Sequence, residues 1–421
     1  MTSELHKITV AVVSDLHFCN QRSEGQGSEL SHIVLQKLQE DSGKNPWSDL
    51  VDLIRRNEIK VDLLLCPGDI TTHAQHEPLK AAWKGLVSLG KELDASLVAC
   101  ATGNHDVSSR IEKGHGNPVH EMDNPSDFFE NLKLLSPEYP LQILKNIPDN
   151  TQHRRNRIQY FGADFLLHED EHYRLIIFNS CARHTNDQAV FERGAIAEST
   201  LIELREQLKL ATTRKINLFV CHHHPVVHTQ DGKGTYDFLQ RGDELIQLLQ
   251  DNGDWIIIHG HKHDGRIIYA PTGAPGSAPV IFSASSVGAI LSKDNLNNFK
   301  NQFYILDIFL PTRGCSLGSV KAWNWHFGEG WSQAIDPRVG LISGTGFGER
   351  THSDDLAERI ATDLGDEPVP WEEIVSKFSF VRHLTPGSLK ELIKSLRNNH
   401  DIVHLPDEKT HQILSIGLEN K

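Results

Sequence analysis

The feature that most constrains the fold of this chain is a pattern that occurs five times. In each occurrence a short apolar run, typical of a β-strand buried on both faces, ends in aspartate, asparagine or histidine. The five polar ends are Asp15-Leu16-His17, Gly68-Asp69, Gly103-Asn104-His105-Asp106, His222-His223-His224 and Gly260-His261-Lys262-His263. A turn with local hydrogen bonds would explain any one of them. Five together favour a shared site, because ligands of open α/β sheets bind beyond the carboxyl ends of the strands.

Helical patterns separate these strands and predict an α/β fold. Helices are predicted near 29–41, 47–57, 77–93, 197–211 and 242–251. A strand is predicted at 158–166, and several strands follow one another from Ile267 onward. Alternating strands and helices, followed by strands in succession, indicate a layered α/β fold with a pair of mixed sheets.

Glycines and prolines divide the chain into regions. We predict one large domain at 1–340, with an irregular insertion at about 107–157 where glycines and prolines interrupt the pattern. The segment Gly344-Thr345-Gly346-Phe347-Gly348 reads as a flexible joint, so residues 341–352 are predicted to be a linker. Residues 353–421 are predicted to form a small, mostly helical C-terminal module, because their apolar residues recur at helical spacing.

Composition narrows the function classes. The net charge of −14 argues against a broad nucleic-acid-binding surface, which is normally basic. No apolar run approaches the roughly 18 residues of a membrane span, so we expect no membrane partner. The N-terminal residues lack the shape of a signal peptide, and the six cysteines contain no C-x-x-C pair. We therefore expect a cytoplasmic protein with reduced thiols.

The polar strand ends together offer a metal-binding set of donors. Two aspartates, one asparagine and three or four histidines would repel one another or stay unsatisfied without a cation. Mixed oxygen and nitrogen donors suit manganese, iron, zinc, cobalt or nickel, whereas calcium prefers oxygen donors alone. Seven donors exceed what one ion takes from a protein, so the pattern indicates two divalent metal ions that share a bridging carboxylate.

The five polar strand ends, which we call blocks, resemble the sequence motifs of the calcineurin-like metallophosphoesterase superfamily. D-x-H, G-D, G-N-H-D, H and G-H-x-H occur in that family's order between about residues 8 and 330. Each block alone is weak, but five in order, each after an apolar strand, are specific. The resemblance implies a four-layer αββα sandwich, a dimetal site at the strand ends and hydrolysis of phosphate esters by a metal-activated hydroxide.

The resemblance also implies a role for each matching residue. The residues implied to hold the first metal ion are Asp15, His17 and His263. Those implied to hold the second are Asn104, His222 and His261. Asp69 would bridge the two ions. Manganese is the metal we expect first, with iron, zinc, cobalt or nickel as alternatives.

The identity of one metal ligand is left undecided by the sequence. Two further residues are implied to take part in catalysis. His222 directly follows its strand, as the ligand does in family members, but His223 remains an alternative ligand. His105 would face the substrate and protonate the leaving oxygen or steady the transition state. Asp106 would orient the His105 imidazole, as carboxylates behind a functional histidine do.

The residues around the blocks narrow the substrate class. Protein Ser/Thr phosphatases of the superfamily follow the bridging aspartate with Val-Asp-Arg-Gly, whereas this chain has Ile70-Thr71-Thr72. The blocks look more like the branches of cyclic-nucleotide phosphodiesterases and SbcD-like nucleases. Because the chain is acidic, we expect a phosphodiesterase that acts on a nucleotide or another small diester.

Two alternatives stay open. Arg154, Arg155 and Arg157 in the predicted insertion would suit a DNA or RNA nuclease of a repair or defence assembly, with nucleic acid as its partner. The chain could instead be a binding scaffold whose functional part is the C-terminal module. Whichever of these functions the chain has, residues 353–421 could recruit a protein partner or mediate self-association.

Overall fold

A computed structural model describes most of the chain. The described residues are 4–21, 31–38, 43–72, 74–109, 127–147, 149–227, 236–271, 276, 278–291, 300–365, 367–407 and 412–418. Residues 110–126, which belong to the predicted insertion, lie outside them. No helix among the described residues combines the length and the apolar content needed to cross a membrane.

Strands and helices alternate through the first two thirds of the chain. The strands are β1 (Glu4–Val12), β2 (Leu63–Cys66), β3 (Leu97–Cys100), β4 (Leu141–Ile143), β5 (Phe165–Glu169), β6 (Tyr173–Phe178), β7 (Gly194–Ala195), β8 (Ile216–Val220), β9 (Leu239–Gln240), β10 (Trp255–His259), β11 (Arg266–Tyr269), β12 (Val280–Ser283), β13 (Gln302–Pro311), β14 (Leu317–His326), β15 (Gly330–Gln333), β16 (Gly346–Phe347), β17 (Val369–Pro370), β18 (Ile402–Pro406) and β19 (Ile413–Leu418). The α-helices are α1 (Pro46–Arg56), α2 (His76–Glu92), α3 (Glu130–Lys133), α4 (Asn150–Ala163), α5 (Gln188–Phe191), α6 (Glu198–Lys209), α7 (Gly242–Asp251), α8 (Ser353–Ala361), α9 (Trp371–Lys377) and α10 (Pro386–His400). Helices α1, α2, α6 and α7 confirm four of the five helices predicted from the sequence. The fifth, predicted near 29–41, is wrong in its described part: among residues 31–38 the chain forms only a 3₁₀ turn at Leu35–Lys37.

Two large sheets form the centre of the fold. The first has the strand order β15-β14-β13-β1-β2-β3-β4, with β16 paired to β14. The second has the order β11-β12-β10-β8-β6-β5. Strands β1, β2 and β3 are parallel in the first sheet, and β6, β8, β10 and β12 are parallel in the second.

The main hydrophobic core lies between the two sheets. Along β8, Leu218 and Val220 belong to the cluster shared with the first sheet, whereas Phe219 belongs to the cluster beneath α6 and α7. This alternation follows from the opposite orientation of successive side chains in a strand. Leu50 of α1 and Leu86 of α2 pack with the first sheet. The layers are therefore helix, sheet, sheet and helix, which confirms the predicted αββα sandwich.

The parallel strands bring the five polar segments to one edge of the sheets. Strands β2 and β3 pair as far as Cys66 and Cys100, so Asp69 and Asn104 leave the first sheet side by side. Strands β8 and β10 end together in the second sheet in the same way. The strand register therefore positions the polar segments relative to one another.

The structure corrects the prediction for part of residues 107–166. Helix α4 occupies the start of the segment that was predicted as a strand at 158–166, and β5 begins only at Phe165. The Asp149 carboxylate accepts the Gln152 N–H at 2.9 Å, and this N-cap starts the helix well before residue 158. Strand β4 lies within the predicted insertion, yet it pairs with β3 as an edge strand of the first sheet.

The C-terminal module contains a small sheet that the sequence did not predict. Its elements follow in the order α8, β17, α9, α10, β18 and β19, and its sheet order is β17-β19-β18. Leu392 and Leu396 of α10 share a separate hydrophobic cluster with Leu356 and Ile360 of α8. The module is mostly helical, as predicted, and has a core of its own.

The predicted linker at 341–352 is packed against the first sheet rather than free. Strand β16 pairs with β14, and the buried Phe347 ring fills the space beside Gly318. His383 of the module reaches the same place, with its Nδ1 3.1 Å from the Gly318 carbonyl oxygen. Through β13, Gly318 lies level with Ile8 in the middle of β1. The module therefore docks away from the polar strand ends, which follow β1 only after Val12.

A buried hydroxyl network ties α4 to the end of β3. The Thr102 N–H donates to the Tyr160 hydroxyl at 3.0 Å. The Thr102 hydroxyl lies 2.9 Å from the Tyr160 hydroxyl and 3.1 Å from that of Tyr139. All three side chains are buried. This network anchors the backbone immediately before Gly103.

We expect Tyr160→Phe to lower the free energy of unfolding by about 1–3 kcal/mol, because it removes the acceptor of a buried N–H. Urea unfolding followed by circular dichroism measures the change. Tyr236→Phe is the matched control, since Tyr236 is 77% exposed, and it should change stability by less than about 0.5 kcal/mol. Equal stability of the two variants would contradict an anchoring role for the network.

Candidate metal centre

A first group of donors comes from the ends of β1 and β10. Asp15, His17 and His263 each place one donor atom within 4.8 Å of the others. The Nε2 of His263 lies 3.2 Å from Asp15 Oδ1 and 3.2 Å from His17 Nε2. We call these three residues the Asp15 group.

A second group comes from the ends of β3, β8 and β10. The Nε2 of His222 lies 3.0 Å from Asn104 Oδ1 and 3.2 Å from His261 Nδ1. The Nδ1 of His222 donates to the Pro67 carbonyl oxygen at 3.1 Å, which directs Nε2 toward the other two residues. We call Asn104, His222 and His261 the Asn104 group.

Asp69 lies between the two groups. Its Oδ2 is 3.3 Å from His222 Nε2 and 4.0 Å from His17 Nε2. Its Oδ1 accepts the His105 N–H at 2.8 Å. One carboxylate therefore faces both groups and the turn that follows β3.

The spacing of these donors fits divalent metal ions. With metal–ligand bonds of about 2.0–2.2 Å, neighbouring ligands of one ion lie about 2.9–3.5 Å apart. The distances of 3.0 to 3.2 Å within the two groups, and that of 3.3 Å between His222 and Asp69, fall in this range. Carboxylate, amide and imidazole donors without thiolate suit borderline metals. The structure brings together all seven residues that the sequence singled out as ligands.

Burial and neighbouring charges shift the pKa values of these residues. Burial would raise the pKa of Asp15, but His263 beside it brings that pKa below its ordinary value. Burial would also raise the pKa of Asp69, but His222 holds it well below the ordinary value. Burial lowers the pKa of His17 to about 4. At neutral pH the two carboxylates are therefore ionised and His17 is neutral, which are the forms that bind metals. Burial opposes the charge of His222, but Asp69 overcomes this and raises the pKa of His222 to about 9, so this imidazole must lose a proton when a metal ion binds.

Five of the seven donor residues have a left-handed backbone. Their φ angles are 50° at Asp15, 52° at His17, 52° at Asp69, 75° at His261 and 54° at His263. Residues other than glycine rarely adopt this region, and each instance costs about 1–3 kcal/mol. Such strain persists only where the surroundings impose it, and it clusters at functional sites.

The two predicted catalytic residues follow Asn104 in the turn. The Nδ1 of His105 donates to the Thr72 carbonyl oxygen at 2.7 Å. The sequence predicted that Asp106 orients His105 directly. The Asp106 carboxylate accepts the N–H groups of Gly103 at 2.9 Å and Thr71 at 3.0 Å. Asp106 therefore positions His105 through the backbone that carries Thr72, a residue that no sequence signal marked.

His223, the alternative ligand, makes different contacts from His222. Its Nδ1 lies 2.8 Å from the Ser180 hydroxyl oxygen, which also accepts the His223 backbone N–H at 3.3 Å. The ring packs against His261, with 4.7 Å between the ring centroids. His222, by contrast, directs Nε2 at Asn104 and Asp69. The geometry therefore favours His222 over His223 as the ligand.

Two motif glycines are required by close packing against the aspartates. A Cβ on Gly103 would lie 2.1 Å from Asp69 Oδ1. A Cβ on Gly260 would lie 2.3 Å from Ser14 Oγ and 2.4 Å from Asp15 Oδ2. Both distances are far below van der Waals contact, so glycine at these positions makes room for the carboxylates.

Comparison with protein families gives two matches. A model described as calcineurin-like phosphoesterase matches residues 8–265. A second model, described as wHTH-Calcineurin_assc, matches residues 345–398, mostly within the C-terminal module. A search of curated proteins finds no significant match.

Comparison with solved structures finds distant likenesses. A dimetal phosphatase from Danio rerio is 14% identical, with a TM-score of 0.42, over 75% of this chain and 99% of that one. A purple acid phosphatase from yellow lupin (Lupinus luteus) seeds is 12% identical, with a TM-score of 0.42, over 77% of this chain and 52% of that one. A metallophosphoesterase from Sphaerobacter thermophilus is 13% identical, with a TM-score of 0.26, over 70% of this chain and 82% of that one. At such TM-scores these structures say nothing about the activity of this chain.

We expect Gly103→Ala to lose most of its bound metal and to melt at a lower temperature, because the added methyl group displaces the Asp69 carboxylate. The matched control is Gly162→Ala in α4, where an added Cβ meets nothing within 4 Å and should stabilise the helix by up to about 1 kcal/mol. Metal content per chain after gel filtration in manganese, measured by mass spectrometry, distinguishes the two variants. Full metal content in Gly103→Ala would contradict the packing argument.

Proposed function

The chain belongs to the calcineurin-like phosphoesterase family, whose enzymes are dimetal hydrolases, and on this premise we propose that it cleaves phosphodiester bonds of a nucleotide-type substrate. The observation that supports the proposal most is the position of Asp69, whose Oδ2 faces both groups of donors. The six cysteines, all of which the structure describes, form no disulfide with one another, which supports the expected cytoplasmic location.

We assign the donors to two divalent metal ions. The Asp15 group would hold one ion, the Asn104 group would hold the other, and Asp69 would contact both. Manganese is the first candidate, with iron, zinc, cobalt or nickel as alternatives, since mixed oxygen and nitrogen donors accept all of them. When bound, such ions supply positive charge that stabilises phosphoryl oxygens and acidifies water.

The chain's own residues supply positioning and proton transfer. His105 is held through Nδ1 by the Thr72 carbonyl oxygen, so Nε2 is the nitrogen that would give a proton to the leaving oxygen of the substrate. The His105 N–H also holds Asp69 Oδ1, which couples the position of the imidazole to that of the shared carboxylate. Phosphoryl transfer depends mainly on such positioning and on charge stabilisation.

The residues after Asp69 support a diester substrate over a phosphorylated protein. Ile70, Thr71 and Thr72 are buried, and the Thr71 N–H is bonded to Asp106. This segment offers no cation where protein phosphatases of the superfamily place an arginine, so it lacks a partner for the second negative charge of a monoester. The net charge of −14 favours a small substrate.

A DNA or RNA nuclease is the second candidate function. Arg154 and Arg155 are exposed on α4, the helix that Tyr160 joins to the turn beside the donors. The match of the C-terminal module to a wHTH model adds a possible nucleic-acid contact, and Lys390, Lys394 and Arg397 form an exposed basic row on α10. Binding to oligonucleotides that weakens steeply with salt would favour this function. A protein-binding role of the module, or of the whole chain as a scaffold, would leave oligonucleotide binding and hydrolysis absent.

We expect the manganese-loaded protein to hydrolyse bis-p-nitrophenyl phosphate and 3′,5′-cyclic nucleotides faster than p-nitrophenyl phosphate. His105→Ala should lower kcat by about 10²–10⁴, because the proton donor is lost. His352→Ala is the control, since the His352 side chain, at the N-cap of α8, is 71% exposed. Cleavage of the monoester without the diesters would contradict the phosphodiesterase proposal.

Metal removal should abolish activity and lower the melting temperature. A ligand at about 100 times its Kd stabilises the folded state by about 2.7 kcal/mol, and the buried donors repel one another without it. Differential scanning calorimetry before and after chelation, followed by manganese addition, measures this change. Asp69→Asn should melt at the same temperature with and without manganese, and a full manganese shift in that variant would argue against a shared carboxylate.

A further inference from the structure

A carboxylate from outside the five motifs reaches the Asn104 group. Asp237 lies between β8 and α7, and its Oδ2 is 3.2 Å from His261 Nε2. The same oxygen forms an ion pair with the Lys262 ammonium. The three side chains are only 25%, 9% and 15% exposed for Asp237, His261 and Lys262, so this contact is shielded from water.

The two nitrogens of His261 face different partners. Nδ1 lies 3.2 Å from His222 Nε2, inside the Asn104 group. Nε2 faces the Asp237 carboxylate. An ionised carboxylate has no proton to donate, so it can act only as a hydrogen-bond acceptor. Nε2 must therefore carry the proton, and Nδ1 then presents its lone pair to the other donors.

We propose that Asp237 is a positioning residue that fixes the tautomer and the ring orientation of His261, and that it thereby sets how tightly the Asn104 group holds its metal ion. This proposal rests on the metal assignment proposed above. A carboxylate bonded to the far nitrogen of a metal-binding imidazole raises the basicity of the ligand and limits rotation of the ring.

The backbone of His261 is strained and does not by itself fix the orientation of the ring. Its φ of 75° is the largest among the donors with a left-handed backbone, so the local chain conformation is not one that histidine prefers. The ring packs at an interplanar angle of 50° against His223, a contact that does not select between the two nitrogens. The bond to Asp237 is directional and selects Nδ1 as the inward nitrogen.

Lys262 has a separate role in this arrangement. Its ammonium contacts the oxygen that faces His261, and so holds the Asp237 carboxylate in place rather than contacting the imidazole. Removing the lysine should loosen the carboxylate, whereas removing the carboxylate frees the imidazole itself. The two substitutions therefore have different expected effects on metal binding.

The experiment compares Asp237→Ala, Asp237→Asn and Lys262→Gln in the full chain. Manganese binding to each apoprotein is titrated by electron paramagnetic resonance of free Mn²⁺ against a competing chelator. For Asp237→Ala, one of the two dissociation constants should rise about 10- to 100-fold while the other stays within about threefold. For Asp237→Asn, the same dissociation constant should lie between those of Asp237→Ala and the wild type, because the amide oxygen can still accept a hydrogen bond from Nε2. Lys262→Gln should change both constants by less than about fivefold.

The outcomes separate positioning from a structural role. At saturating manganese, Asp237→Ala should keep kcat within about tenfold of the wild type, while the manganese concentration for half-maximal activity rises with the weaker dissociation constant. If Asp237→Ala has a lower melting temperature but both of its manganese dissociation constants are unchanged, the proposal is overturned. Equal weakening by Lys262→Gln and Asp237→Ala would also overturn it, since a general loss of the ion pair would then explain both.

The control for folding is circular dichroism together with Asp243→Ala, an exposed aspartate on α7. That variant should bind two manganese ions as the wild type does. A wild type that binds two ions but hydrolyses no phosphoester would contradict the proposed function and leave the Asp237 comparison decisive. A wild type that binds no manganese would overturn both.

Discussion

The arrangement of this site depends on one carboxylate, that of Asp69. Its Oδ1 accepts the His105 N–H, and its Oδ2 faces His222 and His17. These contacts join the ends of β1, β2, β3 and β8, which belong to two different sheets. Only glycine at position 103 leaves room for this side chain. The Asp106 carboxylate holds the same turn by accepting the Gly103 N–H. A displacement of Asp69 would therefore disturb both groups of donors together.

Much of the site could be predicted from the sequence because the strand ends fix it. A buried strand reads as an apolar run, and parallel neighbours end at the same edge whatever lies between them. Asp15, Asn104 and His261 are far apart in the chain, yet each lies within four residues of the end of such a run. The four-layer fold was predictable for the same reason, since the order of strands and helices leaves few arrangements.

The rest required tertiary contacts that leave no local signal. Thr72 acts through its backbone carbonyl oxygen, so its side-chain type carries no information about its role. Asp237 belongs to no motif and reaches His261 only because the chain folds back after β8. Phe347, flanked by glycines, reads as part of a joint, and only its pairing beside Gly318 shows that it is held in place. At 158–166 the apolar residues fit either a strand or a helix, and the Asp149 cap decides for the helix.

The left-handed backbone at five donor positions has a consequence for how such a chain would change over generations. Those residues occupy a backbone conformation that glycine or asparagine would adopt at lower energy. A lineage released from selection for hydrolysis would therefore gain stability by replacing the donors, while the strands that carry them would still be needed for the core. Relatives that have lost hydrolytic activity should therefore keep the sandwich and lose these donors.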